Sequence, residues 1–256
     1  MADFLQLIIS GTATGAIYAL CALGFTLLWQ ASGTINFAQG EFVMLPAFVM
    51  LFFINTAGLP LWLAFLLTCL VAMLLLGYTF KRVIVDPLIR HGVIPMVIAT
   101  LGLSIGVKQL TKAGVTAQAM PFNSPFPDGL LALGDFKVSY ADIGTLLMAG
   151  LIVIGLQLFL NRTVTGRAMQ AVAQNTDAAK VLGINVQLMV LYVFLINAVL
   201  AVVAALLGGV LVGVLENLTG AYISPAYKEG VALLLFLVVI IFRPEGLLGK
   251  AEERKV

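Results

Sequence analysis

The run "LMVLYVFLINAVLAVVAALLGGVLVGVL", from Leu188 to Leu215, holds no charged residue. Away from water, the backbone polar groups of such a run can be satisfied only within a helix or a closed barrel. Barrel strands alternate polar and apolar residues, and this run does not. A helix crossing a hydrocarbon core of ~30 Å is the remaining solution. Runs of this kind recur, and seven spans are predicted: Phe4–Trp29, Phe42–Thr56, Leu61–Phe80, Val93–Leu110, Ile143–Leu160, Leu188–Leu215 and Gly230–Phe242. The second and seventh are short and borrow residues from their flanks. The expected fold is all-α, a polytopic membrane helical bundle, with residues 1–256 as a single transmembrane domain.

Composition excludes the soluble alternative. Only 10% of the residues are charged and 61% are hydrophobic, whereas about 25% of a soluble domain is charged. The N-terminal "MADFLQLII" lacks a positive n-region and reads as a retained first span. Cys21 and Cys69 fall inside spans and behave as small apolar residues. His91 is the sole histidine, so no metal set is expected. The net charge of +2, without a basic aromatic patch, gives no sign of a nucleic-acid partner. The string nearest to a nucleotide loop, "GLLGKA", has the wrong spacing and no Ser or Thr after its lysine. With no nucleophile–base set either, the chain is not expected to be an enzyme, and energy for any work must come from elsewhere.

Lysine and arginine set the orientation. Three segments, Lys81–Gly92, Asn161–Gln187 and Arg243–Val256, hold 10 of the 14 basic residues, including every arginine. They are expected in the cytoplasm, with the N-terminus outside and the C-terminus inside. Lys108, Lys112, Lys137 and Lys228 fall on or near the far side. The outer loop Thr111–Asp142 contains "MPFNSPFPDG", whose prolines and glycine break regular structure. Gly11/Gly15, Gly102/Gly106 and Gly209/Gly213 have the GxxxG spacing of close helix contacts.

Two polar stretches interrupt this pattern. "GRAMQAVAQNTDAAKVLGIN", Gly166–Asn185, reads as two short helices below the membrane. Thr165 is placed to cap the first, and Thr176 the second. Asp177 sits where a helix N-terminus favours an acid, and Gly183 is suited to end it. The segment is either a solvated loop or an element whose small alanine faces dock closely on another protein. The second stretch, "INFAQGEF", places Asn36, Gln39, Gly40 and Glu41 between two apolar runs. Polar breaks at membrane depth occur in protein interiors or along cavities, and often build transporter sites. Glu41 either caps the second helix at the cytoplasmic boundary or lines a pathway.

"DAAKVLG" is similar to the EAA loop of ABC importer permeases, with Asp177, Ala178, Ala179 and Gly183 on the motif positions and Asp in place of Glu. "GAIYALCALGFTLLWQASGTINFAQGEF", "TGRAMQAVAQNTDAAKVLGIN" and "AYKEGVALLLFLVVIIFRPEGLLG" resemble the LivH-type permeases of branched-chain amino-acid ABC importers, and "IATLGLSIGVKQL" resembles them more loosely. The resemblance implies that residues 161–187 form the coupling element seated in an ATPase subunit, with Arg167, Asp177, Ala178, Ala179 and Gly183 as its contact residues. It also implies two ABC ATPases that bind ATP and Mg, a second, LivM-like permease and a periplasmic binding protein. The location would be the bacterial inner membrane. This chain would then hold no cofactor of its own. Asn36, Gln39 and Glu41 are the pathway candidates.

In one place the chain departs from that family. Members carry a further Gly-rich membrane segment after the span that starts near Leu188. Here "FLINAVLAVVAALLGGVLVGVLENL" runs straight on, as though a piece were absent between Asn197 and Gly208. Restoring one span would make eight. The rival reading is a secondary transporter or channel for a small solute with no ATPase, in which Glu41 is the sole candidate to bind a coupling ion.

Overall fold

A computed structural model describes residues 2–33, 35–114, 125–127, 129–133 and 136–208. The expected span Gly230–Phe242, the end of the run to Leu215, the Gly209/Gly213 pair, and the basic segment Arg243–Val256 lie outside these residues.

The helices are α1 (Ala2–Ser32), α2 (Gln39–Asn55), α3 (Leu61–Leu88), α4 (Val93–Gly114), α5 (Tyr140–Arg162), α6 (Val164–Gln174), α7 (Thr176–Val181) and α8 (Val186–Gly208). Five of them contain segments long and apolar enough to cross a membrane, and α2 is a shorter apolar helix. Five of the seven expected spans thus coincide with membrane-length helices, each running past at least one expected end, while the second is the shorter α2 and the seventh lies outside the described residues. At 1.5 Å per residue, the 28 residues of α3 extend about 42 Å, beyond a hydrocarbon core of ~30 Å. The excess carries Lys81, whose buried ammonium donates to both Asp86 carboxylate oxygens at 2.7 and 3.0 Å. Met73–Thr79 and Lys81–Val85 are wound as π-helix. There the Phe80 N–H reaches back five residues to the Leu75 carbonyl.

α8 is the central helix. It is apolar on all sides, and most of its residues are buried, as expected of a helix enclosed by others. α1, α2 and α3 pack around it. Aromatic rings tie three of these helices together. Phe42 of α2 meets Phe80 of α3 edge-on at 4.8 Å, and Phe80 lies 5.9 Å from Phe194 of α8. By contrast, α4 and α5 are mostly uncovered. Leu147, Leu151, Ile154 and Leu158 form an exposed stripe along α5, a surface compatible with lipid or a neighbouring subunit.

The loop between α4 and α5 contains an antiparallel hairpin, β1 (Leu130–Leu133) and β2 (Phe136–Ser139), with Leu130 opposite Ser139 and Leu133 opposite Phe136. The sequence reading did not foresee it. Ser139 then caps α5 by accepting from the Ala141 N–H, which starts that helix three residues before its expected first residue.

Candidate functional site

The turn between α1 and α2 lies within the bundle. Asn36 is buried, and its Oδ1 accepts from the Ala38 N–H at 3.0 Å, a local turn that competes with helix. Its Nδ2 is buried with no partner among the described residues. The next N–H, of Phe37, donates to Thr100 Oγ of α4. Gln39 Nε2 then donates to Asn197 Oδ1 at 3.0 Å, and the amide of Asn197 donates back at 3.4 Å. Asn197 is fully buried. It lies about 16 Å along α8 from Val186, near the middle of a ~30 Å core. The pairing therefore puts the start of α2 at membrane depth.

Gly24 makes this approach possible. A Cβ there would overlap the Asn197 carboxamide oxygen and press on its carbon. Only the bare backbone lets α1 pass beside the amide pair.

Glu41, in the first turn of α2, is buried and forms an ion pair with Lys108 Nζ of α4 at 3.0 Å. The Lys108 side chain is 56% exposed, against 5% for Glu41. Of the two roles open for Glu41, a cap at the cytoplasmic boundary does not describe it. No side chain caps α2, and the carboxylate pairs across to α4. Lys108, expected on or near the far side, lies in the last third of α4 and pairs with α2's first turn. An exposed ammonium at membrane depth does not suit contact with lipid tails.

Asn36, Gln39 and Glu41 thus each make a polar contact in or beside this turn, and Thr100, Lys108 and Asn197, which the sequence reading did not single out, are the partners brought in from α4 and α8. The available signal was chemical. Lys108 and Asn197 each interrupt an otherwise apolar run, and each needs a partner.

The pair α6–α7 has the two-helix form expected, with different caps. Thr163, not Thr165, caps α6 by accepting from the Gly166 N–H at 2.9 Å, while its hydroxyl donates to the Phe159 carbonyl. Asn175, not Thr176, caps α7 by accepting from the Asp177 and Ala178 N–H groups. Thr176 instead donates back to the Val172 carbonyl. Gly183 ends the element with φ +78°, as its position suggested. Gly166 is pressed against the end of α5, where a Cβ would collide with the Phe159 carbonyl and the Leu160 backbone.

The coupling candidates divide by face. Ala179 is buried with Met169 and Val172 in the main core, so it anchors the element instead of offering a small docking face. Arg167, Asp177, Ala178 and Gly183 are exposed, and Asp177 pairs with Lys180 at 2.9 Å. Beside them project two apolar residues that the sequence reading did not single out. Val181 and Leu182 are 88% and 76% exposed. Among the described residues, no group of three His, Cys, Asp or Glu assembles that could hold a metal.

The family model described as "Branched-chain amino acid transport system / permease component" matches residues 7–207. The chain is 30% identical to the high-affinity branched-chain amino acid transport system permease protein BraD of Pseudomonas aeruginosa, covering 99% of this chain and 98% of that protein. It is 27% identical to the similarly named LivH proteins of Salmonella typhimurium and Escherichia coli K12, each with the same coverage. No solved structure matches. The BraD alignment runs over 305 positions against 256 residues here, so at least 49 of its positions have no counterpart in this chain. That agrees with a piece absent relative to the family, and the family match itself ends inside the window from Asn197 to Gly208. With a match over most of its length and with membrane-length apolar helices, this chain is a multi-pass membrane protein that belongs to the family of permease components of branched-chain amino-acid transport systems.

Proposed function

We propose that the chain is the membrane-spanning subunit of an ABC importer that moves branched-chain amino acids into the cytoplasm. The observation that carries this reading is the α6–α7 element: buried Ala179 fixes it to the bundle while Val181 and Leu182 stand out beside Asp177 and Lys180. An apolar tip with a charged flank has the anatomy of an interface anchor. It is read here as the seat of an ATPase subunit, one on this chain and one on a second permease subunit. ATP and Mg belong to those partners, and a periplasmic binding protein brings the substrate. The bacterial inner membrane is the location, with the N-terminus outside and the Lys/Arg-rich segments in the cytoplasm. The polar junction of Asn36, Gln39 and Glu41 lies on the route of passage.

Two substitutions test the seat. Leu182→Asp is expected to weaken ATPase association by about tenfold or more, as loss of a central anchor does, with membrane insertion unchanged. Co-purification of the tagged chain with its ATPases reads the effect, and equal recovery from both chains rules the seat out. Gly183→Val forces a β-branched residue into the left-handed region, at about 1–2 kcal/mol. It is expected to lower the stimulation of ATP hydrolysis by loaded binding protein. A wild-type chain that transports with no ATPase present would favour the secondary-carrier reading.

A further inference from the structure

A cavity of about 180 Å³ lies between α2, α3 and α4. Its wall is almost wholly apolar, with Leu45, Leu76, Phe80, Leu103 and Val107 in it, and Glu41 is among the residues that border it. The Glu41 carboxylate holds the Lys108 ammonium at 3.0 Å, and Lys108 follows directly on Val107 of the wall. An apolar recess therefore borders Glu41, whose carboxylate is held in an ion pair.

We propose that Glu41, Lys108 and this cavity form a transient subsite for a zwitterionic amino acid with a branched aliphatic side chain. The inference rests on the importer reading above and names what the polar junction would hold. An α-amino acid carries one ammonium and one carboxylate on adjacent atoms. Inserted between Glu41 and Lys108, it exchanges one protein ion pair for two protein–ligand pairs. Its charges are then not left unpaired in a medium of low dielectric, where an isolated ion is costly. The two partners differ as the exchange requires. Glu41 is buried and fixed, whereas Lys108 is half-exposed on a flexible stem, free to swing aside. The recess suits the side chain, since an apolar cavity of ~150 Å³ already accepts benzene and a butyl group is smaller. Each buried methylene strengthens binding about fourfold, so alanine would be held less well than leucine.

The test uses the complete transporter, with its partner subunits and binding protein, in lipid vesicles. Leucine carrying a diazirine in its side chain is the probe. After illumination, label is expected in the helices Gln39–Asn55 and Val93–Gly114, displaced by excess leucine. Lys108→Met is expected to cut the label about tenfold, as removal of a paired charge does, and Val107→Phe to cut it by filling the recess. The exchange of charges, Glu41→Lys with Lys108→Glu, keeps an ion pair but reverses its polarity. Uptake that stays low in this variant, in an assembled complex, supports the subsite. Uptake restored by it shows a purely structural pair and overturns the proposal. Label that excess leucine does not displace, as a lipid chain in the recess would give, also overturns it. If leucine uptake is intact and ATP-driven while label falls elsewhere, the subsite alone fails. If the wild-type complex takes up no leucine, the importer reading fails and the subsite with it.

Discussion

Gly166→Val is expected to abolish coupled uptake and to destabilise the protein. The groups that a Cβ would strike are the Phe159 carbonyl and the Leu160 backbone, neither of which can rotate away as a side chain tip could. Relief requires α6 to lift off the end of α5. That would break the Thr163 cap and withdraw Met169 and Val172 from the core. Overpacking costs about 1–3 kcal/mol, and more where backbone must shift. A lost cap adds about 1 kcal/mol. The unfolding midpoint of the purified complex is expected to fall by about 4 °C or more, and binding-protein-stimulated ATP hydrolysis to drop to its basal rate. An unchanged midpoint would mean that the α5–α6 turn opens without penalty and that its tightness has no role.

The second large effect is predicted at the amide pair. Asn197→Leu leaves the Gln39 carboxamide without its partner beside a fully buried position. Interhelical hydrogen bonds in membranes average about 0.6 kcal/mol, but a buried amide left unsatisfied adds a further penalty, for a total of about 1–3 kcal/mol. The paired change, Gln39→Leu with Asn197→Leu, removes both groups and is expected to recover most of the lost stability. It is not expected to recover transport, because the turn at Asn36–Gln39 would lose the contact that fixes its depth. Thermal midpoints of the four proteins give the coupling energy directly. Additive losses would show that the two amides do not depend on each other.

The spans were legible because their cause is local: long apolar runs have one way to satisfy their backbone in lipid. Gly183 was legible for the same reason, since a helix end needs a left-handed residue. The caps were missed by one or two positions. Thr163 and Thr165, or Asn175 and Thr176, are equally good capping residues, and only packing against α5 and the core decides between them. The polar junction was half legible. Asn36, Gln39 and Glu41 lie within six residues of one another, so a sequence window contains them. Lys108 and Asn197 are 67 and 158 positions from their partners, and helix packing alone brings them together. Lys108 was also counted as one more far-side charge, a statistical use of a residue whose surroundings make it individual. The π-helical turns of α3 carried no clear sequence signal.

The main core joins the two ends of the machine without a gap. Met169, Val172 and Ala179 belong to the same packed cluster as Phe80, Phe194, Phe42 and Ala38, and Ala38 sits inside the turn that holds Asn36 and Gln39. Close-packed interiors compress very little. On the importer reading proposed above, a tilt imposed at Val181 and Leu182 would be carried through this packed cluster toward the turn at Asn36–Gln39.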